Sequence, residues 1–205
     1  MLACGMPADP HPGAIRAWPL PYEERLAARS LQQIDLMVIH CTELPDLAMA
    51  RDYGERVQHA ESQTGNSGHY YIDNHDGDRD GSVSCFVRPE RIAHHTRGYN
   101  PRSVGIELVN TGRYPDWFDS RHQAMDEPYT EAQVVALIAL LDRLRAELPN
   151  LEWIAGHEDL DTAQVPASDD PAIMVARKRD PGPLFPWHRV LDAVPLQRLF
   201  AATQS

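Results

Sequence analysis

LMVIH (Leu36–His40) is a run of four apolar residues followed by a histidine. A short segment that is apolar throughout is typical of a buried β-strand. Two more strand-like segments occur further along the chain, SVGIELV (103–109) and LEWIAGH (151–157). We therefore predict three strands of one sheet, and two of them end in a histidine.

Helical patterns lie between these strands. Asp46 is a candidate N-cap, and apolar residues recur at helical spacing from Leu47 to Ala60. A second helix is predicted after Thr130, which forms a capping box with Gln133, and its apolar stripe reaches Leu148. Strands that alternate with helices in this way predict an α/β fold.

Turn signals and prolines divide the rest of the chain. GHYYID and GSVSCFV are predicted strands, joined by the turn-rich segment NHDGDRDG. Residues 158–186 are predicted to be mostly loop, followed by a short amphipathic helix near residues 187–200. These elements together predict a single α/β domain with a mixed central β-sheet flanked by α-helices.

Length and composition limit the class of protein. The 205 residues fit one folded domain, which we place at residues 31–205 after a Pro-rich N-terminal tail at residues 1–30. The net charge of −11 argues against a nucleic-acid-binding protein, which normally carries a basic face. No apolar run approaches the roughly 20 residues that span a bilayer.

The N-terminal segment raises the question of compartment. Three cysteines, Cys4, Cys41 and Cys85, do not suggest a disulfide framework. MLACGMPADPHPG is not an intact signal peptide, but LACG resembles the cleavage end of a bacterial lipoprotein signal, in which Cys4 carries the lipid. If the reading frame begins upstream, we expect a lipid anchor and a location in the cell envelope or periplasm rather than the cytoplasm. The alternative is a disordered tail with an incidental cysteine.

A metal site is the strongest chemical hypothesis. His40 and His157 follow strands, at the sheet edge where α/β proteins bind ligands. Neutral imidazoles there suit zinc, and Asp180 in the proline-stiffened stretch ARKRDPGPLFPW can supply a third, anionic ligand. Three protein ligands leave a fourth tetrahedral position for water, as in catalytic zinc sites. The alternative is that these histidines are ordinary core residues.

Two further charged residues fit such a site. Residues two apart in an extended chain point the same way, so Lys178 and Asp180 would project toward one place, where an ammonium can stabilise an oxyanion. Glu107 is a lone charge within SVGIELV, where burial is costly without a role or a partner, and it is the candidate general base. Taken separately, each could instead be a solvent-facing side chain.

Six segments occur in order between Leu36 and Trp187: VIHCTE, GHYYID, RPERIAHHTRG, NPRSVGIEL, WIAGHEDL and RKRDPGPLFPW. Together they resemble the zinc-dependent N-acetylmuramoyl-L-alanine amidases of the bacterial type 2 amidase family, relatives of the peptidoglycan recognition proteins. The resemblance implies a hydrolase with one zinc ion per chain. Its implied reaction cleaves the amide between the lactyl group of N-acetylmuramic acid and L-alanine, in cell-wall peptidoglycan or in muropeptide fragments.

The family's motifs assign roles to residues of this chain. The resemblance implies that a zinc-bound water is activated by a glutamate while zinc and a lysine stabilise the oxyanion. The implied zinc ligands are His40, His157 and Asp180, the implied catalytic residues are Glu107 and Lys178, and the implied substrate-binding residue is His95.

The sequence departs from the family at three places. His94 stands where relatives often have an aromatic residue before the substrate-associated histidine, His95. Other branches carry a catalytic tyrosine at the position of Gly68, so chemistry in this chain is expected to depend on Glu107. The run 161–175 is longer than in compact relatives.

Four other functions are compatible with parts of the sequence. A non-catalytic peptidoglycan-binding module of the same fold is the main alternative, although such modules typically lack a zinc ligand. DGDRDG matches the first half of an EF-hand loop, but Val87 occupies its twelfth position. A cysteine hydrolase using Cys41 beside His40 is geometrically poor, because adjacent strand residues point to opposite faces. A glycosidase would need a pair of carboxylates that does not stand out.

Overall fold

The computed structural model describes residues 14–75, 77 and 79–201. Cys4, the predicted lipid-anchor position, lies outside the described residues, as do Asp76 and Asp78 of the DGDRDG turn. The strands are β1 (Ile15–Ala17), β2 (Leu36–Cys41), β3 (Tyr70–Ile72), β4 (Val83–Cys85), β5 (Ser103–Leu108), β6 (Trp153–Gly156), β7 (Gln164–Pro166), β8 (Met174–Ala176) and β9 (Gln197–Arg198). The helices are α1 (Leu47–Glu55), α2 (Glu131–Glu147), α3 (His157–Leu160) and α4 (Trp187–Ala193).

Seven strands form the central sheet, in the order β1–β4–β3–β5–β2–β6–β9. The β3–β4 pair is antiparallel and the other neighbouring pairs are parallel. The predicted mixed α/β sheet is therefore confirmed. β7 and β8 form a separate antiparallel hairpin. In the part of the chain that the structure describes, no helix has both the length and the apolar character that crossing a membrane requires.

The predicted helix caps are present. The Asp46 side chain accepts a hydrogen bond from the Met49 N–H at 2.7 Å and caps α1. Thr130 and Gln133 exchange side-chain-to-backbone hydrogen bonds of 3.0 and 3.1 Å at the start of α2, which is the predicted capping box. Both caps satisfy backbone N–H groups that lack a partner within the helix.

Alternation along β2 separates the two faces of the sheet. Met37 and Ile39 are fully buried in the core beneath α2 and α4. Leu36 and Val38 pack on the opposite face, so His40 at the end of the same alternation also faces away from α2. Glu107 of β5 is the register partner of His40 and shares its face. The sheet therefore places an imidazole and a carboxylate side by side.

Two predicted helix ends are wrong. The first helix ends at Glu55 rather than Ala60, because the N–H groups of Gln58 and His59 both bond to the Thr64 carbonyl and close a turn. The last helix ends at Ala193 rather than near residue 200, since the chain then adds β9 to the edge of the sheet beside β6. In each case the backbone groups beyond the helix end form hydrogen bonds with residues outside the helix.

Four short elements, β1, α3, β7 and β8, were not predicted. The segment 158–186, predicted to be mostly loop, contains α3 and the β7–β8 hairpin. Within the stretch assigned to the tail, β1 pairs with β4, and Leu20, Tyr22 and Leu26 are buried. The packed part of the chain therefore begins before residue 31.

Candidate active site

The side chains of His40, His157 and Asp180 meet at the carboxyl ends of β2 and β6. Ile39 pairs with Gly156 across these strands, which brings the histidines that follow them together. The Nδ1 atoms of His40 and His157 lie 2.8 and 3.0 Å from Oδ2 of Asp180. All three residues are at most 3% exposed. The sheet thus joins residues that are up to 140 positions apart in sequence.

Hydrogen bonds within the part of the protein that the structure describes do not satisfy every buried polar atom of this cluster. Asp180 Oδ1 and His157 Nε2 are buried without a hydrogen-bond partner among the described residues. Ligand atoms around a tetrahedral zinc ion, bound at about 2.0–2.1 Å, lie roughly 3.3 Å from one another. One donor atom from each of the three residues lies within 4.8 Å of the other two. Two imidazoles and one carboxylate therefore fit a zinc ion in both chemistry and spacing.

Burial also sets the protonation states that suit a metal. It lowers the pKa of His40 to about 4, although the neighbouring Asp180 carboxylate opposes this shift, so the imidazole is neutral at pH 7. Burial acts to raise the pKa of Asp180, but His157, His40 and Lys178 hold that pKa well below its usual range. A neutral imidazole and an ionised carboxylate are the metal-binding forms of these groups.

Lys178 and Asp180 lie in an extended segment that is hydrogen-bonded on both sides. The Arg177 N–H donates to the Ala163 carbonyl at 2.8 Å, and the Asp180 carbonyl accepts from the Glu158 N–H at 2.9 Å. The side chains of Lys178 and Asp180 line the same cavity. Lys178 is also the only lysine of the chain, since its other 18 basic residues are arginines.

Glu107 lines the same cavity as the cluster. Burial raises the pKa of Glu107 well above its usual range; the charge of Asp180 reinforces the shift and that of Lys178 opposes it. A Cβ atom on residue 68 would lie 2.7 Å from Cγ of Glu107, so Gly68 leaves the space that the glutamate occupies. The carboxyl group is therefore held near the cluster with its proton affinity increased.

The cluster opens into a groove made of two adjoining cavities of about 250 and 270 Å³. The residues that line both cavities are Thr42, Glu43, Leu44, Tyr53 and Lys178. Arg113 binds the Glu43 carboxylate through two hydrogen bonds of 2.6 and 2.9 Å and also donates to the Ala176 carbonyl at 2.9 Å. Arg113 thereby ties the end of the β7–β8 hairpin, most of which lies in the long run 161–175, to the wall of the groove.

His95 lines the cavity and also contacts the cluster. Its Nδ1 lies 3.0 Å from Nε2 of His40, and a Cβ atom on residue 105 would lie 2.6 Å from the same Nδ1, so the ring packs closely on Gly105. Two further residues at this site, Thr96 and Ser103, were not predicted from the sequence; their hydroxyl groups contact His95 at 3.0 and 3.2 Å. Thr96 is adjacent to His95, whereas no local pattern marks Ser103.

Comparison with protein families matches residues 30–183 to the family described as N-acetylmuramoyl-L-alanine amidase. Comparison with curated protein sequences finds no match.

Solved structures with a similar fold include bacterial and animal proteins. One is the N-acetylmuramyl-L-alanine amidase AmiD from E. coli, solved with the substrate anhydro-N-acetylmuramic acid-L-Ala-D-γ-Glu-L-Lys. AmiD is 24% identical to this chain with a TM-score of 0.58, and the match covers 82% of this chain and 60% of AmiD. The amidase LysC from Clostridium intestinale is 19% identical with a TM-score of 0.60, over 90% of this chain and 99% of LysC. Drosophila peptidoglycan recognition protein SA is 16% identical with a TM-score of 0.57, over 94% of this chain and 99% of that protein. At these identities the likeness is one of fold.

Proposed function

Because this chain belongs to the N-acetylmuramoyl-L-alanine amidase family, we propose that it hydrolyses the amide between the lactyl group of N-acetylmuramic acid and L-alanine. The observation that carries the proposal is the convergence of His40, His157 and Asp180 in a groove that Glu107 and Lys178 also line. The muropeptide bound to E. coli AmiD supports peptidoglycan or its soluble fragments as the substrate class.

The proposed cofactor is one zinc ion per chain, held by His40, His157 and Asp180. Bound there, zinc would polarise the scissile carbonyl and lower the pKa of a water ligand toward about 7. The two imidazoles are kept in the buried cluster by the ends of β2 and β6, and Asp180 supplies the negative charge.

Glu107 and Lys178 are the proposed catalytic residues. Glu107 accepts the proton of the attacking water and returns it to the departing amine of L-alanine, a task that suits a carboxyl group with a raised pKa. The Lys178 ammonium stabilises the negative charge that develops on the carbonyl oxygen. His95 lines the same cavity and is proposed to pack against the substrate.

The test is direct product analysis with the full chain. Purified protein is incubated with zinc and with muropeptides that carry either normal or anhydro-muramic acid, and products are identified by mass spectrometry. The proposal expects free peptide that begins with L-alanine and an intact sugar, and it expects a strong chelator to stop release until zinc is restored. Binding without peptide release would identify a non-catalytic module instead, and cleavage between sugars would identify a glycosidase.

A further inference from the structure

We propose that Ser103 and His95 are positioning residues that fix the tautomer of His40, so that its Nδ1 presents a lone pair to the metal. The inference rests on the proposed function, because it concerns how one proposed zinc ligand is prepared. It is carried by a hydrogen-bond relay that runs from a backbone carbonyl to the cluster, through Ser103, His95 and His40.

The contact between Ser103 and Tyr99, at the end of the relay away from the cluster, determines which atom donates in each hydrogen bond. Ser103 Oγ lies 2.8 Å from the carbonyl oxygen of Tyr99. A carbonyl can only accept, so the proton in this contact is that of the Ser103 hydroxyl. The lone pairs of Ser103 Oγ are then left for the other neighbour, Nε2 of His95 at 3.2 Å, which must donate.

The next contact follows from the first. A neutral imidazole carries one proton, and the contact with Ser103 places it on Nε2 of His95. Nδ1 of His95 is then an acceptor, and Nε2 of His40, 3.0 Å away, is its donor. Thr96 offers an alternative route with the same direction: in place of the direct contact, its hydroxyl can accept from His40 Nε2 at 3.3 Å and donate to His95 Nδ1 at 3.0 Å.

The relay determines which nitrogen of His40 faces the cluster without a proton. With its proton on Nε2, His40 turns a bare Nδ1 toward Oδ2 of Asp180 at 2.8 Å. Two lone pairs that face each other at this distance repel unless a cation lies between them. The reverse direction would give a self-contained network, with His40 donating from Nδ1 to Asp180, but Ser103 would then face the Tyr99 carbonyl without a proton.

Burial separates this role from substrate contact. Ser103 is fully buried at the start of β5 and Thr96 is 1% exposed, so neither hydroxyl can touch a molecule in the groove. Both ring nitrogens of His95 are engaged, which leaves only its carbon atoms for the substrate. Partners of a metal-bound histidine of this kind typically contribute 10–100-fold to metal affinity.

The first test uses Ser103→Ala, with Ser84→Ala as the matched control, a serine that is 3% exposed in β4 of the same sheet. Zinc affinity is measured by competition with a chromophoric chelator at one pH. We expect Ser103→Ala to weaken zinc binding about 10–100-fold and Ser84→Ala to leave it unchanged. Equal affinity in wild type and Ser103→Ala, with both proteins folded, overturns the inference.

A second test does not depend on removing Ser103. Asn and Leu have similar shapes, but the Asn side chain offers an oxygen near the position of Nδ1, so His95→Asn is expected to bind zinc more tightly than His95→Leu. Nitrogen-15 NMR of the metal-free wild type is expected to show the His40 proton on Nε2. A proton on Nδ1, or equal zinc affinity in the Asn and Leu variants, contradicts the relay. If wild-type protein cleaves muropeptides with zinc and Ser103→Ala binds zinc as tightly as wild type, the relay alone is refuted. If wild-type protein does not bind zinc, the proposed function is refuted.

Discussion

Gly68 and Glu107 share one space on the face of the sheet that carries the cluster. A Cβ atom on residue 68 would approach Cγ of Glu107 to 2.7 Å and Oε1 to 3.3 Å. A side chain at position 68 therefore forces the Glu107 side chain out of its present position. This is a physical reason why glycine stands here where other branches of the family are expected to carry a catalytic tyrosine.

Gly68→Ala is expected to displace Glu107 and lower the rate of peptide release. Glu107→Gln removes the proposed general base and should lower kcat by about 10²–10⁴-fold. The loss in Gly68→Ala should not exceed the loss in Glu107→Gln. Both variants should keep full zinc content. The double variant should be no slower than Glu107→Gln, because Gly68 acts through that carboxyl group. Steady-state kinetics with one muropeptide measures all four proteins; additive losses in the double variant would contradict the shared role.

Lys178→Met is expected to lower kcat by about 10²–10³-fold, the usual cost of losing one donor to an oxyanion, with a smaller change in KM. Lys178→Arg keeps the charge but changes its shape, so its loss should be smaller. Arg143→Met, which removes a cation from the exposed Arg143–Glu147 pair, is the control and should keep wild-type kinetics. A Met variant whose KM alone rises would show that Lys178 only binds substrate.

Asp180→Asn is expected to abolish zinc binding at micromolar metal, because the cluster loses its only carboxylate. Wild-type protein should unfold at a higher temperature with zinc than with chelator. At a free zinc concentration of 100 times the Kd, the free energy of unfolding should rise by about 2.7 kcal/mol. The Asn variant should melt at one temperature in both conditions. Elemental analysis and thermal unfolding measure these effects, and a zinc-dependent melting temperature in Asp180→Asn would contradict the ligand assignment.

Glu158→Gln is expected to stabilise the metal-free protein at high pH. Burial raises the pKa of Glu158 to about 7, and the charges of Asp159 and Asp180 reinforce the shift. The folded pKa exceeds the unfolded one, so the penalty for ionised Glu158 is fully present above pH 7 and is lost below about pH 4.5. The variant should gain about 1–3 kcal/mol at pH 8 and nothing at pH 4.5. Urea unfolding across this range, with exposed Glu61→Gln as control, measures the difference; a gain that does not vary with pH would contradict the shift.

Arg113→Met is expected to lower the free energy of unfolding by about 3–5 kcal/mol, because Glu43 is left as an unpaired buried charge. Arg143→Met removes an exposed pair and should cost no more than about 1 kcal/mol. The double variant Glu43→Gln with Arg113→Met should recover part of the loss. Urea unfolding measures the free energy of unfolding of each variant. Equal losses in Arg113→Met and Arg143→Met would mean that the buried pair does not hold the groove wall.

Local patterns were enough to predict the parts of the fold that depend on neighbours in sequence. The capping box of Thr130 with Gln133 and the alternation in SVGIELV are of this kind, since their partners lie within a few residues. The meeting of His40 with His157 was also predictable, because both lie at the carboxyl ends of strands of one sheet and the ends of parallel strands share an edge.

The rest depends on contacts that no short window contains. β1 has three residues, and its partner strand β4 begins 68 positions later. Arg113 and Glu43 are 70 positions apart, and neither residue type suggests its partner. Ser103 looks like any residue at the start of a strand until the fold brings His95 to it. Contacts made by tertiary packing therefore position the residues that local sequence patterns do not predict.

The presence of one lysine decides how the protein can be labelled or immobilised. Dyes, crosslinkers and activated resins that react with primary amines have two kinds of target in this chain, the α-amino group and the side chain of Lys178 in the groove. Such reagents block the cavity that Lys178 lines, and the arginine side chains do not compete for them. Attachment at an engineered cysteine on the exposed side of α2 avoids that damage.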